Sequence, residues 1–338
     1  MIIKHLTQLA FWWKNARPVA LPQSLLPAVL AVCLASGMPE FSVYLSVLAV
    51  LGVGLAHLCS NLLDDYFDYK ATDTALLRSD LQRKGMRARI SKCTYLTSGE
   101  TTVNKLFTAC CIFGMMAIAF GLIVFLQRGV VVLYIAAITA LLGFSYSGPP
   151  LKLSYRGLGE VVIGLVFGPL LMCGVYYAAC GSLDWSVLLV SISVGLLVVN
   201  IVYSHSIMDY EPDKSCGKMT FAVLLNSKKR MIITLFIILL AVFAGIIAGV
   251  VFEYLSMLYL LVLLTLPMAV SQFYLMQKFV KNPQKTYKPR FWMGPMGNWE
   301  RIQRAGIDWF MIRWLLARNL LSFFCLIIIV VTLVSNFK

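Results

Sequence analysis

Nine apolar runs, each close to the 20 residues that a helix needs to cross a bilayer, follow one another along this 338-residue chain. They fall at about 19–37, 43–63, 105–126, 130–146, 158–180, 185–204, 230–251, 255–277 and 314–335. Hydrophobic residues make up 60% of the chain and charged residues only 13%, against about 25% in soluble proteins. No polar stretch is long enough to fold by itself. The pattern predicts an all-α integral membrane protein with nine transmembrane helices in a single domain over 1–338.

The segments between the runs are uneven in charge. Of the 29 Lys and Arg, 27 fall on one side of a nine-span arrangement, and only Arg128 and Lys338 fall on the other. Cytoplasmic loops carry such an excess. The N-terminus and the two long polar loops, 64–104 and 205–229, are therefore expected in the cytoplasm and the C-terminus outside, in a multi-pass protein of the cell's inner (cytoplasmic) membrane. The formal net charge of +14 has this topological cause, and no nucleic-acid-binding motif accompanies it. Residues 1–18, with Phe11, Trp12 and Trp13 beside Lys14, predict an interfacial amphipathic segment. Residues 278–313, basic and carrying Trp292, Trp299 and Trp309, predict a second, partly helical one. Basic residues ahead of the first run resemble a signal peptide, but the later spans make that run an anchor that stays in place. The nine cysteines are scattered without metal-ligand spacing and are expected as small core residues.

Acids where a membrane helix meets water are costly, and two clusters of them stand here. The first follows the second run: Asn61, Asp64, Asp65 and Asp68. If the helix continues through it, Asn61, Asp65 and Asp68 share a face, with Asp64 about 100° away. The second follows the sixth run: His205, Asp209 and Asp213 at four-residue steps, then Lys218. Opposed faces of this kind gather more negative charge than a bilayer edge tolerates unpaired. A hard divalent cation satisfies it, and magnesium held by a few carboxylates shares its other positions with water and phosphate. Lys70, Arg78, Arg83, Lys84, Arg87, Arg89, Lys152, Arg156, Lys214 and Lys218 lie near in sequence. Acids, Mg2+ and basic side chains together make a diphosphate clamp. No P-loop is present. His205 has an alternative role as a helix-end hydrogen-bonding group. Tyr66, Phe67, Tyr69 and Tyr203 suit either a substrate channel or an interfacial belt.

At these residues the chain resembles the UbiA superfamily of intramembrane prenyltransferases, and within it the 1,4-dihydroxy-2-naphthoate polyprenyltransferases. Four stretches carry the resemblance. They are Ala16-Arg17-Pro18 with Leu21-Pro22 and Pro27; Asn61 to Asp68 with Asp73; Tyr146 to Pro150 running through Tyr155-Arg156-Gly157-Leu158-Gly159-Glu160 to Phe167-Gly168-Pro169; and Asp209, Asp213, Gly217-Lys218 and Thr220. They cover about the first 230 residues; beyond that only the helix pattern matches. The resemblance implies helices around a central cavity under a cap of polar loops. It implies Asn61, Asp65, Asp68, Asp209 and Asp213 as metal ligands, and Lys218 on the diphosphate. It implies substrate contacts from Arg17, Tyr146, Lys152, Tyr155, Arg156 and His205. Two departures stand out: Tyr69 replaces the further acid of the wider superfamily, as in the naphthoate branch, and His205 replaces the usual Asn or Asp. The loop between Asp73 and Gly99 is also longer than usual for the family.

The expected activity is Mg2+-dependent transfer of a polyprenyl group from its diphosphate to an aromatic acceptor, 1,4-dihydroxy-2-naphthoate in the first place. Other acceptors (4-hydroxybenzoate, homogentisate, haem, a sugar phosphate) stay open. A cation-coupled transporter is the reading of another class, and it predicts acids in mid-helix. A non-catalytic membrane scaffold would leave the paired acids unexplained.

Overall fold

A computed structural model describes residues 2–71, 93–215, 217–283 and 285–336. Asp73, Arg78, Arg83, Lys84, Arg87 and Arg89 lie outside the described residues. The described chain is helical apart from turns and one isolated bridge between Arg156 and Met219. In order, the helices are α1 (Ile2–Asn15), α2 (Pro22–Ala35), α3 (Val43–Ala71), α4 (Thr94–Thr97), α5 (Val103–Arg128), α6 (Val130–Ser147) and α7 (Gly159–Cys180). There follow α8 (Trp185–Met208), α9 (Tyr210–Ser215), α10 (Phe221–Leu225), α11 (Lys228–Val251), α12 (Met257–Lys281), α13 (Trp299–Arg304) and α14 (Asp308–Asn336).

Eight of these helices are long and apolar enough to cross a membrane. The first expected span is the exception. Helix α2 has 14 residues, because Pro18 and Pro22 hold the chain in a short 3-10 turn before it and Gly37 and Pro39 follow it. A helix of that length reaches about 21 Å. Its two ends nevertheless meet opposite ends of the bundle. Ser24 bonds His57 near the first acidic cluster, at 2.6 Å, and Ser36 accepts from Asn336 at the end of α14, at 3.0 Å.

Two apolar clusters hold the bundle. The larger joins α2, α7, α8, α11, α12 and α14 around Leu197, Ile201, Leu235, Leu316 and Phe324. The smaller joins α3, α4 and α5 around Leu58, Leu62 and Leu106, with Phe11 and Trp12 of α1 packed on it. The N-terminal segment forms the helix α1, whose Phe11 and Trp12 each stand edge-on to Tyr95 at 6.1 Å. Large apolar side chains such as Ile118, Leu141, Leu264 and Val270 are exposed on the outer faces, as a lipid-facing surface requires.

Helices α7 and α8 approach closely where the sequence motif Phe167-Gly168-Pro169 falls. Pro169 lacks the N–H of an α-helical turn, and the backbone widens into a π-turn over Val166–Leu170. A Cβ on Gly168 would sit 2.6 Å from Gly195 Cα and 2.6 Å from the Ser191 carbonyl oxygen. Both obstacles are backbone and cannot rotate away. Gly168→Leu is expected to separate α7 from α8 and cost about 3 kcal/mol or more, read as a fall in the unfolding temperature of the purified protein.

Three boundaries differ from expectation. Helix α3 runs to Ala71, so the first cluster sits on a helix rather than in the loop 64–104. The loop 205–229 is largely helical through α8, α9 and α10. Helix α14 starts six residues before the expected span, which draws Arg313 into the bundle. Arg313 is fully buried, with its guanidinium bonded to the carbonyls of Leu275 and Trp309 and set 5.1 Å from the Phe279 ring centroid.

At the opposite end Arg128 closes a separate knot. It pairs with Glu40 at 3.3 Å and donates to the carbonyls of Glu40, Ala178 and Ala179. The single described basic residue expected on that side is a fastener between α5 and the ends of α2 and α7.

Candidate active site

Arg17 gathers the first cluster. It lies between α1 and α2 in a left-handed conformation, φ 58° and ψ 58°, which a side chain other than glycine adopts at a cost of order 1 kcal/mol. That backbone turn aims its guanidinium at α3. Nη2 donates to the Asn61 carbonyl at 2.7 Å, and lies 3.2 Å from Asp65 Oδ1 and 3.6 Å from Asp64 Oδ2. Burial opposes the charge on Arg17, but Asp65 and Asp64 outweigh it and hold its pKa above the ordinary value. The Asn61 amide bonds back to the Ala16 carbonyl at 2.9 Å.

Asp65 is only 2% exposed. Besides Arg17 it accepts the Tyr95 hydroxyl at 2.9 Å. Burial and the neighbouring carboxylate push the Tyr95 pKa up, so the phenol stays protonated and remains a donor. Asp68 points elsewhere: its Oδ1 accepts the Tyr155 hydroxyl at 2.5 Å. Asp64 accepts the Ser147 hydroxyl at 2.6 Å. The expected face of Asn61, Asp65 and Asp68 is therefore split. Asn61 and Asp65 turn to the N-terminal segment and α4, whereas Asp64 and Asp68, one turn apart, face the end of α6 and the turn after it.

The second cluster keeps its expected spacing across a helix break. Asp209 ends α8, yet its N–H still bonds the His205 carbonyl and its carbonyl still accepts from Asp213. His205 Nε2 stands 3.1 Å from Asp209 Oδ2, so the imidazole is tied to a carboxylate. Asp213 is 2% exposed, and its carbonyl accepts the Lys218 N–H at 3.0 Å.

The chain from Gly148 to Leu158 joins the two clusters. Tyr155 holds Asp68 through its hydroxyl, while the Lys218 ammonium lies 5.4 Å from the centroid of its ring. Next to it Arg156 pairs with Met219 in a parallel bridge. Lys152 turns this segment in a left-handed conformation, φ 45°. Arg156 itself reaches the Pro150 carbonyl at 3.3 Å. Tyr146 is the penultimate residue of α6, next to Ser147. Tyr155 thus links Asp68 of the first cluster to Lys218, which follows the second.

Among the described residues no three Asp, Glu, His or Cys side chains come close enough to hold a metal by themselves. Magnesium does not need such a cage: it is held by one or two carboxylates, water and substrate phosphates. The donors here are hard oxygens, with Arg17 and Lys218 beside them, so the set fits Mg2+ that arrives with a diphosphate. A cavity of about 280 Å3 lies between α2 and α3 and is lined by Val29, Val32, Val47 and Val50. Its apolar wall suits hydrocarbon and offers nothing to a phosphate.

Several contacts had no counterpart in the sequence argument. Glu160 is buried and accepts the Ser206 hydroxyl at 2.7 Å, fixing the start of α7 to α8 beside His205. Phe310 of α14 lies edge-on to His205 at 5.2 Å. An acid inside a recognised motif was a usable signal for Glu160; nothing marked Tyr95 or Phe310.

Comparison with known proteins places this geometry. A 2-carboxy-1,4-naphthoquinone phytyltransferase from Synechocystis sp. is 30% identical over 161 residues, covering 47% of this chain and 52% of the relative. A 1,4-dihydroxy-2-naphthoate octaprenyltransferase from Bacillus subtilis is 26% identical over 220 residues, covering 64% of this chain and 66% of the relative. The chain thus spans about half of the first relative's length and just under two thirds of the second's. Among solved structures, one of digeranylgeranylglyceryl phosphate synthase in membranes matches with a TM-score of 0.62 at 16% identity, over 98% of this chain and 99% of that one. A UbiA homologue from Archaeoglobus fulgidus bound to GPP and Mg2+ matches with a TM-score of 0.56 at 17% identity, over 94% of this chain and 99% of that one. These two likenesses establish the fold. The UbiA prenyltransferase family model matches residues 24–294, which contain both acidic clusters and the Tyr155 segment, and the chain belongs to that family.

Proposed function

We propose that this protein transfers a polyprenyl group from its diphosphate to an aromatic acceptor, in a reaction that needs Mg2+. The observation that carries this reading is the link from Asp68 through Tyr155 to Lys218, which brings the two acidic clusters to one end of the bundle. Asp65, Asp68, Asp209, Asp213 and Asn61 are the residues that would hold the metal, which supplies positive charge to the leaving diphosphate. Lys218 is placed to bind a phosphate oxygen directly. Arg17 keeps the first cluster compensated when no substrate is bound.

The carbon–oxygen bond breaks and its electron pair leaves with the diphosphate, where cations already stand. The allylic cation left behind is attacked by an electron-rich ring carbon. With 1,4-dihydroxy-2-naphthoate the carboxylate departs as carbon dioxide, which gives demethylmenaquinol, the reduced form of demethylmenaquinone. The naphthoate is favoured by the names of the relatives and by the spacing that ends at Asp68. The charge asymmetry supports a cytoplasmic position for the clusters, at the cell's inner membrane. A transporter is disfavoured because the acids stand at the ends of α3 and α8 and not at their middles.

The test offers the purified protein, in lipid, one polyprenyl diphosphate and each aromatic acceptor in turn. Prenylated product is expected with 1,4-dihydroxy-2-naphthoate, and a chelator should reduce it to background. Product from none of the acceptors would refute the reading, and product from 4-hydroxybenzoate alone would move the acceptor.

A further inference from the structure

Three side chains of α14, Phe310, Trp314 and Arg318, follow at four-residue steps and share one face of the helix. They lie beyond the motifs that carry the family resemblance. The face begins at the second acidic cluster, where the Phe310 ring meets His205, the partner of Asp209. One turn on, Trp314 stacks with Phe310, the planes 21° apart and the centroids 6.5 Å apart. A further turn on, the Arg318 guanidinium lies 4.6 Å from the Trp314 centroid. Its Nη2 donates to the Val19 carbonyl at 2.8 Å. Val19 is two residues from Arg17, which holds the first cluster. The face therefore runs from the neighbourhood of one cluster to that of the other. All three side chains are half-buried.

Arg318 stands ten residues into α14, about 15 Å along it. It stands level with Val19 at the start of the first apolar run, and a cation within an apolar helix calls for a partner. Among the described residues no carboxylate lies within ion-pair distance of it. The contact with Val19 uses one of its five N–H donors and fixes the direction of the fork. A fork held in place at the end of a stacked aromatic pair suits the carboxylate of an aromatic acid, whose ring would pack against the part of Phe310 and Trp314 that stays exposed.

We propose that Phe310, Trp314 and Arg318 seat the aromatic acceptor, and that Arg318 selects acceptors that carry a carboxylate. This rests on the prenyl-transfer reading for its purpose, but its test does not need turnover. Two ligands would be compared by calorimetry on the full chain in nanodiscs: 1-hydroxy-2-naphthoate and 1-naphthol, which lacks the carboxylate. The wild-type protein should bind the acid at least about tenfold more tightly. Arg318→Gln should abolish that preference, and Arg318→Lys should keep part of it. Affinity for a prenyl diphosphate with Mg2+ should stay unchanged in both variants.

Equal binding of the two ligands by the wild type would overturn the proposal without any variant. So would a preference that survives Arg318→Gln. A fall in prenyl diphosphate affinity with the preference intact would assign Arg318 to the donor instead. If Arg318→Gln does not fold, the Lys variant and the wild-type comparison still decide. An Arg318-dependent preference in a protein that forms no prenylated product would uphold this site and remove the proposed activity.

Discussion

Asp68→Asn and Asp213→Asn are each expected to lower prenyl transfer by at least about 100-fold, with the fold intact. Both changes keep the shape of the side chain and remove its charge. Asp68 accepts a hydrogen bond from the Tyr155 hydroxyl, and an asparagine oxygen accepts that bond as well. The loss would therefore fall on chemistry and not on packing. Asp68 meets Tyr155 directly, and Asp213 lies five residues before Lys218, whose ammonium stands over the Tyr155 ring; a diphosphate carrying Mg2+ needs ligands from both clusters. Rates measured at saturating Mg2+ and donor would check this. Near-normal rates in both variants would show that the clusters do not act on the diphosphate.

Removing Arg17 is expected to destabilise the protein before it affects turnover. Asp65 is 2% exposed, and Arg17 and the Tyr95 hydroxyl are its neighbours on the N-terminal side. Breaking a buried ion pair by deleting one partner costs about 3–5 kcal/mol, because the other charge stays behind. Arg17 keeps about a third of its side chain exposed, so water offsets part of this and roughly 2 kcal/mol is the fair figure. Arg17→Gln should lower the unfolding temperature of the purified protein, and adding Asp65→Asn should restore most of it. Excess Mg2+ should also restore part of it, since the cation takes the place of the guanidinium. An unchanged unfolding temperature in Arg17→Gln would show that Arg17 does not hold the cluster.

Helices were legible because a bilayer demands long apolar runs, and those runs are visible without any contact map. The bounds of α2 were less legible for a local reason: apolar residues continue past its prolines and toward Gly37, although the helix does not. The acids were legible as a site because their cost needs a partner. Their orientation was not. A helical wheel states that Asn61, Asp65 and Asp68 share a face, but it does not weigh the i, i+4 pair of Asp64 and Asp68 against it. Which pair turns inward depends on Ser147 and Tyr155, and those come from a segment more than 80 residues away. Arg313 and Arg318 were hidden differently. Arg313 closed the basic segment 278–313 and Arg318 fell inside the last apolar run; the earlier start of α14 carries the first into the core, and the second lies against Trp314.

The central claim is that two clusters, remote in sequence, act as one binding site for a magnesium diphosphate. The direct measurement is a binding cycle on the purified protein, with Asp68→Asn, Asp213→Asn and the double variant. The affinity for a prenyl diphosphate would be taken by calorimetry with and without Mg2+. With Mg2+, each single change should weaken binding nearly as much as the double change, because half a clamp holds little. Without Mg2+ the differences should vanish. Strictly additive losses, or losses that persist without Mg2+, would contradict the account.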